Sequence, residues 1–110
     1  MTRITVVTLL AIALASGCGS LTTEHVITGT LHAAGGGPVD VVMENEPPPA
    51  EFEEIALVRA FGNGNRANLT SVIDGLRDEA RLVGANAVIR VRIDQGSSGM
   101  AGLGVAVRVP

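Results

Sequence analysis

Apolar and polar residues follow two different periods along the chain, and the change falls at Gly84. From Leu69 to Val83 the apolar positions Leu69, Val72, Ile73, Leu76, Ala80 and Val83 recur at i, i+3, i+4 and i+7. This spacing predicts an amphipathic helix with Ser71, Asp74, Arg77, Asp78 and Arg81 on its polar side. Asn68 stands where an N-cap accepts from an orphan backbone N–H. Gly84 suits a left-handed C′ position. Asp74–Arg77 and Asp78–Arg81, three residues apart, form surface pairs worth about 0.2–0.5 kcal/mol each. Gly75, inside the helix, costs about 1 kcal/mol against Ala. Two readings of it stand: a close backbone approach to a neighbouring sheet, or a local weakness.

After the Gly84-Ala85-Asn86-Ala87 turn the period becomes two. Ile89, Val91 and Ile93 share one face of a strand, and Val88, Arg90, Arg92 and Asp94 the other. Phe52–Phe61 alternates too, Ile55 and Leu57 against Ala56, Val58 and Ala60, and Gly62–Asn65 connects it to the helix. Gln95–Gly102 reads as a Gly/Ser-rich loop, followed by a last strand of Leu103, Val105, Val107 and Val109 alternating with Gly104, Ala106 and Arg108. Val39–Met43 is a short strand that Pro47-Pro48-Pro49 cannot prolong. The pattern predicts an α+β fold over residues 39–110. It is a small two-layer domain with one amphipathic helix on a mainly antiparallel sheet, built on a β-α-β-β core.

The last two strands pair most simply as an antiparallel hairpin. With Ile93 opposite Leu103, Arg92 faces Gly104, Arg90 faces Ala106 and Val88 faces Arg108. The side away from the helix then carries Arg90, Arg92 and Arg108 on a bed of small residues. Guanidinium forks on such a surface suit a carboxylate- or phosphate-bearing partner. The alternative is that they solubilise a sheet face or pair with Glu54.

The N-terminus follows another logic. Met1-Thr2-Arg3 is a short positive start, and Ile4–Ala15 is an apolar run too short for the roughly 20 residues of a membrane span. Residues 1–17 thus read as a secretory signal peptide. Gly19–Pro38, ending in Gly35-Gly36-Gly37-Pro38, reads as a flexible tether with a reach of roughly 25 Å. Within it Val26–Leu31 is a candidate edge strand. His25 and His32, which flank that run, read as solvated, since two histidines alone fall short of a tight metal site.

Composition removes several classes of function. Without Arg3 the chain has seven arginines against eleven Asp and Glu, with no Lys, Trp or Tyr. This charge balance argues against nucleic acid as a partner, and the two phenylalanines offer no row of stacking platforms. Glu44, Glu46, Glu51, Glu53 and Glu54 cluster without the spaced Asp/Asn/Gly loop of a calcium site and read as a solvated acidic edge. Gly62-Asn63-Gly64 lacks the Lys-Ser/Thr of a phosphate loop. No histidine stands in the 39–110 domain to activate Ser71, Ser97 or Ser98. The expectation is therefore no enzyme, no catalytic residue, no cofactor and no metal site.

Two resemblances sharpen the reading. Leu14-Ala15-Ser16-Gly17-Cys18 resembles the lipobox of bacterial lipoproteins, with Leu14 one place earlier than usual. It implies a lipid-bearing Cys18, the only cysteine of the chain, at the head of the 18–38 tether. Gly19 lacks the Asp that commonly retains such proteins in the inner membrane, which leans toward the outer membrane facing the periplasm in a Gram-negative host. Phe52-Glu53-Glu54-Ile55-Ala56-Leu57-Val58, the segment from Leu76 to Arg90 with Gly84-Ala85-Asn86-Ala87-Val88-Ile89, and Gly104-Val105-Ala106-Val107 resemble the YbjQ family of small bacterial domains. The whole is similar to RcsF-type stress-sensor lipoproteins, without their paired cysteines. The resemblance implies a lipid-anchored envelope protein acting as an interaction or stress-sensing module. The alternative is a small oligomeric ligand- or ion-binding domain displayed on the membrane. The partners implied are the membrane, through Cys18, an envelope protein and further copies of the chain.

Overall fold

The computed structural model describes residues 19–110; the signal-peptide and Cys18 assignments lie outside them. Five strands form one sheet: β1 (Leu21–Ile27), β2 (Asp40–Met43), β3 (Glu53–Gly62), β4 (Ala87–Gly96) and β5 (Gly99–Arg108). Among the described residues one α-helix, α1 (Leu69–Leu82), packs on one face. The order across the sheet is β1-β3-β5-β4-β2. Three neighbouring pairs are antiparallel and β2–β4 is parallel, so the sheet is mixed. β3, α1 and β4 make a split β-α-β unit, with β5 in the gap between its strands.

The helix forms as its local sequence dictates. Asn68 Oδ1 accepts from the Ser71 amide at 2.8 Å, satisfying one of the four orphan donors at the N-terminus. Gly84 closes the other end at φ +79°. Val72, Leu76, Ala80 and Val83 are fully buried, and Asp74–Arg77 and Asp78–Arg81 pair as expected. Gly75 has a packing reason. A Cβ there would lie 3.0 Å from Thr23 Cγ2 and 3.1 Å from Ala60 Cβ, so its absence lets the helix lie close to β1 and β3.

The sheet departs from simple alternation at two bulges. On β4, Ile89 pairs with Val105 and Arg92 with Leu103, so Arg90 and Val91 together oppose Gly104. Arg90 takes the left-handed conformation, φ 54°, as the extra residue of a bulge. The insertion reverses the phase of the strand. Val88 and Val91 join the core under the helix, while Ile89, with Ala87 and Val107, is buried on the opposite face among Val42, Phe52, Val105 and Val109. The expected grouping of Ile89 with Val91 and Ile93 is thereby corrected. Ile55 is the extra residue of the second bulge, between Glu54 and Ala56 of β3. It joins the core with Ala56, Val58 and Ala60, and Leu57 faces the other way.

The hairpin exists, in a different register. Arg92 lies opposite Leu103 and Ile93 opposite Gly102. Its turn is only Ser97-Ser98, because Gly96 pairs with Gly99; the rest of the expected Gln95–Gly102 loop is strand. Gly102 and Gly104 face the helix. A Cβ on Gly104 would lie 2.5 Å from Val88 Cγ1, and one on Gly102 would lie 2.6 Å from Val72 Cγ1. Gly102, Gly104 and Ala106 of β5 are the floor on which the helix rests, and Leu103, Val105 and Val107 point outward.

Of the expected 18–38 tether, residues 19–38 are described, and they are not a free linker. Leu21–Ile27 pairs antiparallel with all of β3 from Ala56 to Gly62. The chain then crosses beneath the C-terminal end of the helix toward β2. The Thr28 and Gly29 amides donate to the Ile55 carbonyl, His32 N to Val83 O, and Gly35 N to Arg81 O. Arg81 Nε donates to Gly37 O and Arg77 Nε to Val39 O. With its polar groups bonded to the domain, this segment is part of it.

Candidate functional site

The helix covers one face of the sheet. On the other, which we call the outer face, the residues opposite one another are set by register. Val26 pairs with Leu57, Leu57 with Val105, and Val105 with Ile89. Cover thins along this row. Ile89 is fully buried and Val105 half-buried, while Leu57 is 41% and Val26 64% exposed. Leu103, one step along β5, is 49% exposed. Together with Glu24 and Arg59, Val26, Leu57 and Leu103 line a shallow hollow of about 140 Å³. Glu24 and Arg59 hold each other at 2.9 Å beside it. Sequence reasoning set the Gly104, Ala106 and Arg108 side of β5 away from the helix, the reverse of the observed phase, so it missed Val26, Leu57 and Leu103.

The three arginines expected on this face do not stand together. Arg92 is on it, its Nε 3.3 Å from Asp94 Oδ1. Arg90 leaves the bulge over the Phe52 ring, 5.8 Å from its centroid, a cation–π contact at the margin of the same face. Arg108 is on the helix side, where its Nη1 donates to the Gly84 carbonyl at 3.2 Å. The β5 phase reported above is the cause: Arg108 shares the parity of Gly102 and Gly104. Glu54 pairs with none of the three; its carboxylate accepts from Thr28 Oγ1 at 2.8 Å.

His25 is engaged rather than simply solvated, while the buried His32 Nε2 makes no hydrogen bond, although a Glu53 carboxylate oxygen is near it. His25 Nδ1 lies 2.8 Å from Glu79 Oε1, joining β1 to the helix. His32 Nε2 lies 3.3 Å from Glu53 Oε2. Glu79 is only 6% exposed, so its carboxylate depends on His25 for a partner. Replacing His25 with Ala is expected to lower unfolding stability by about 1–3 kcal/mol, since it strands a buried acceptor. Adding Glu79→Gln, which removes the charge, is expected to recover part of that loss in urea melts.

A second concavity, of about 570 Å³, lies between the helix and the start of β2, lined by Asp40, Asp74, Arg77, Asp78 and Arg81. Each of its arginines bonds both an aspartate and a backbone carbonyl, so this groove is a seam that fastens the crossing segment and β2 to α1. Among the described residues no group of three or more His, Cys, Asp or Glu side chains is placed to hold a metal, and no helix is long and apolar enough to cross a membrane.

The fold and the outer face define a small α+β domain with one helix on a five-strand mixed sheet. No protein family matches the chain, and neither a curated protein nor a solved structure does.

Proposed function

We propose that the chain is a lipid-anchored cell-envelope protein, held by acyl chains on Cys18, that acts as a protein-interaction or stress-sensing module without catalysis. The outer face of the sheet is its contact surface. The observation that carries this reading is the apolar row that loses its cover toward β1, leaving Val26, Leu57 and Leu103 exposed beside ion-paired charges. An apolar centre with a charged rim is the usual anatomy of a protein contact. Arg90 and Arg92 belong to that rim; Arg108 is structural. The lipobox-like Cys18 and the likeness to RcsF-type lipoproteins support the envelope setting, with the outer membrane facing the periplasm as its place in a Gram-negative host.

A photo-reactive residue at Leu103 in the native envelope is expected to give a discrete cross-linked adduct. The same residue at Asp78, on the polar side of the helix, is expected to give none. Leu57→Glu, placed on the half-exposed row, is expected to leave the circular dichroism spectrum unchanged and to reduce the Leu103 adduct about tenfold or more, the effect of losing roughly 1.4 kcal/mol of contact energy. An adduct unchanged in a folded Leu57→Glu protein excludes the outer face as the contact surface.

A further inference from the structure

Ser20, two residues after Cys18, is already fastened to the domain. Asn63 N–H donates to the Ser20 carbonyl at 3.0 Å, and the Ser20 amide and hydroxyl both donate to Asn63 Oδ1, at 2.8 and 3.2 Å. Gly19 sits at φ +99°, where a Cβ would lie within 3 Å of Asn63 O and of the Asn65 backbone N. Two residues later, at Leu21, β1 enters the sheet opposite Gly62. A lipid-bearing Cys18 would have its Cα only about 3.8 Å from that of Gly19, across a single trans peptide. A flexible tether would leave the domain free to tumble above the bilayer, but no such length of chain exists between Cys18 and β1.

The end of the sheet at which Gly19 is fixed has its own chemistry. Gly62 pairs with Leu21 on one side and Met100 on the other, and Gly96 pairs with Gly99 across the Ser97-Ser98 turn. The helix starts from the same end, after the short 3-10 turn Gly64–Arg66. Through Gly19–Leu21, Gly62–Leu69 and Gln95–Met100 the only ionisable side chain is Arg66. Elsewhere the chain is acidic. Glu51, Glu53 and Glu54 stand at the opposite end of β3, ten residues long, which places them roughly 30 Å away. Carboxylates are repelled by the negative surface potential of anionic lipid, and a lone arginine among Gly, Ser and Asn is drawn to it.

We propose that the end formed by Gly19–Leu21, Gly62–Leu69 and the Ser97-Ser98 turn rests on lipid headgroups, held there by a connection too short to let the domain turn. The inference rests on the lipid anchor at Cys18 proposed above. It goes further in fixing the orientation: the strands stand up from the bilayer, the acidic end points away, and the outer face is presented sideways, along the membrane surface.

The test uses the full processed lipoprotein in vesicles of phosphatidylethanolamine and phosphatidylglycerol. A bimane fluorophore is placed on Ser98→Cys in one protein and on Glu51→Cys in another, and quenching by a nitroxide-headgroup lipid is read. A palmitate-analogue label on Cys18 is scored in the same samples. The Ser98 probe is expected to be quenched strongly and the Glu51 probe hardly at all. Inserting about twelve Gly/Ser residues between Cys18 and Gly19, for roughly 20 Å of reach, is expected to reduce the difference about threefold with the acyl label unchanged. Equal quenching of the two probes with the label present overturns the orientation and leaves the anchor standing. A difference that the insertion does not alter overturns the role of the short connection. Absence of the label overturns anchor and orientation together.

Discussion

Truncating Leu76 to Ala is expected to lower the free energy of unfolding by about 2–5 kcal/mol, the range for removing a large aliphatic side chain from a core that relaxes only partly. Leu76 is fully buried at the centre of the helix stripe. Its Cδ1 reaches to 3.1 Å from where a Cβ on Gly102 would stand, so it bridges the helix to the floor of β5. A domain of this size has only about 5–15 kcal/mol of net stability, so the variant is expected to be half-unfolded or worse under mild denaturant. Leu69→Ala is the matching control. Leu69 lies on the same stripe by sequence but is 53% exposed, and its loss is expected to fall within about 0.5 kcal/mol, as surface substitutions usually do. Urea midpoints of the two variants, followed by circular dichroism, check both numbers. Equal losses would mean that the helix is rotated about its axis from the arrangement described.

What could be read from the sequence was local. The helix announces itself through Asn68, Gly84 and the spacing of Val72, Leu76, Ala80 and Val83, all of which act within a turn or two of one another. The strands from Phe52 onward show in their alternation, and the antiparallel hairpin in the short path between its arms. The sequence reading failed wherever the answer depends on a distant strand. Arg90 is an ordinary residue of an alternating run until Gly104 is set opposite it and its neighbour, and the bulge then sends Ile89 to the outer face. Leu21–Ile27 has the Thr and Val content of a strand. Its placement comes from pairing with β3, about 35 residues on, and beside a Gly-rich run it reads as tether. The His25–Glu79 pair joins residues 54 apart in sequence, with nothing local to signal it. The exposed row of Val26, Leu57 and Leu103 became visible only once the helix was known to take the other face.

Gly104→Val tests that assignment of faces through the sign of its effect. If the Gly104 side of β5 faced solvent, as the simple hairpin register predicts, valine would be an improvement. It has higher strand propensity than glycine, on a scale that spans about 1 kcal/mol, and it removes backbone freedom from the unfolded chain. In the structure Gly104 lies beneath the core, and even its first added carbon would lie 2.5 Å from Val88 Cγ1 and 3.1 Å from Val91 Cγ2. Both neighbours are fully buried and β-branched, so neither swings aside at χ1 without cost. The two further methyl groups of valine have only the space occupied by those side chains. Relief requires β4 or the helix to move away from β5, and overpacking of this kind costs about 1–3 kcal/mol. Gly104→Val is therefore expected to be destabilising by at least about 1 kcal/mol. Leu103→Val, one residue away on the outer face, is expected to stay within about 0.5 kcal/mol of the parent. The measurement is a pair of urea unfolding curves with shared slopes. A Gly104→Val protein as stable as the parent, or more so, would place the small residues of β5 on the solvent side and with them reverse the two faces of the sheet.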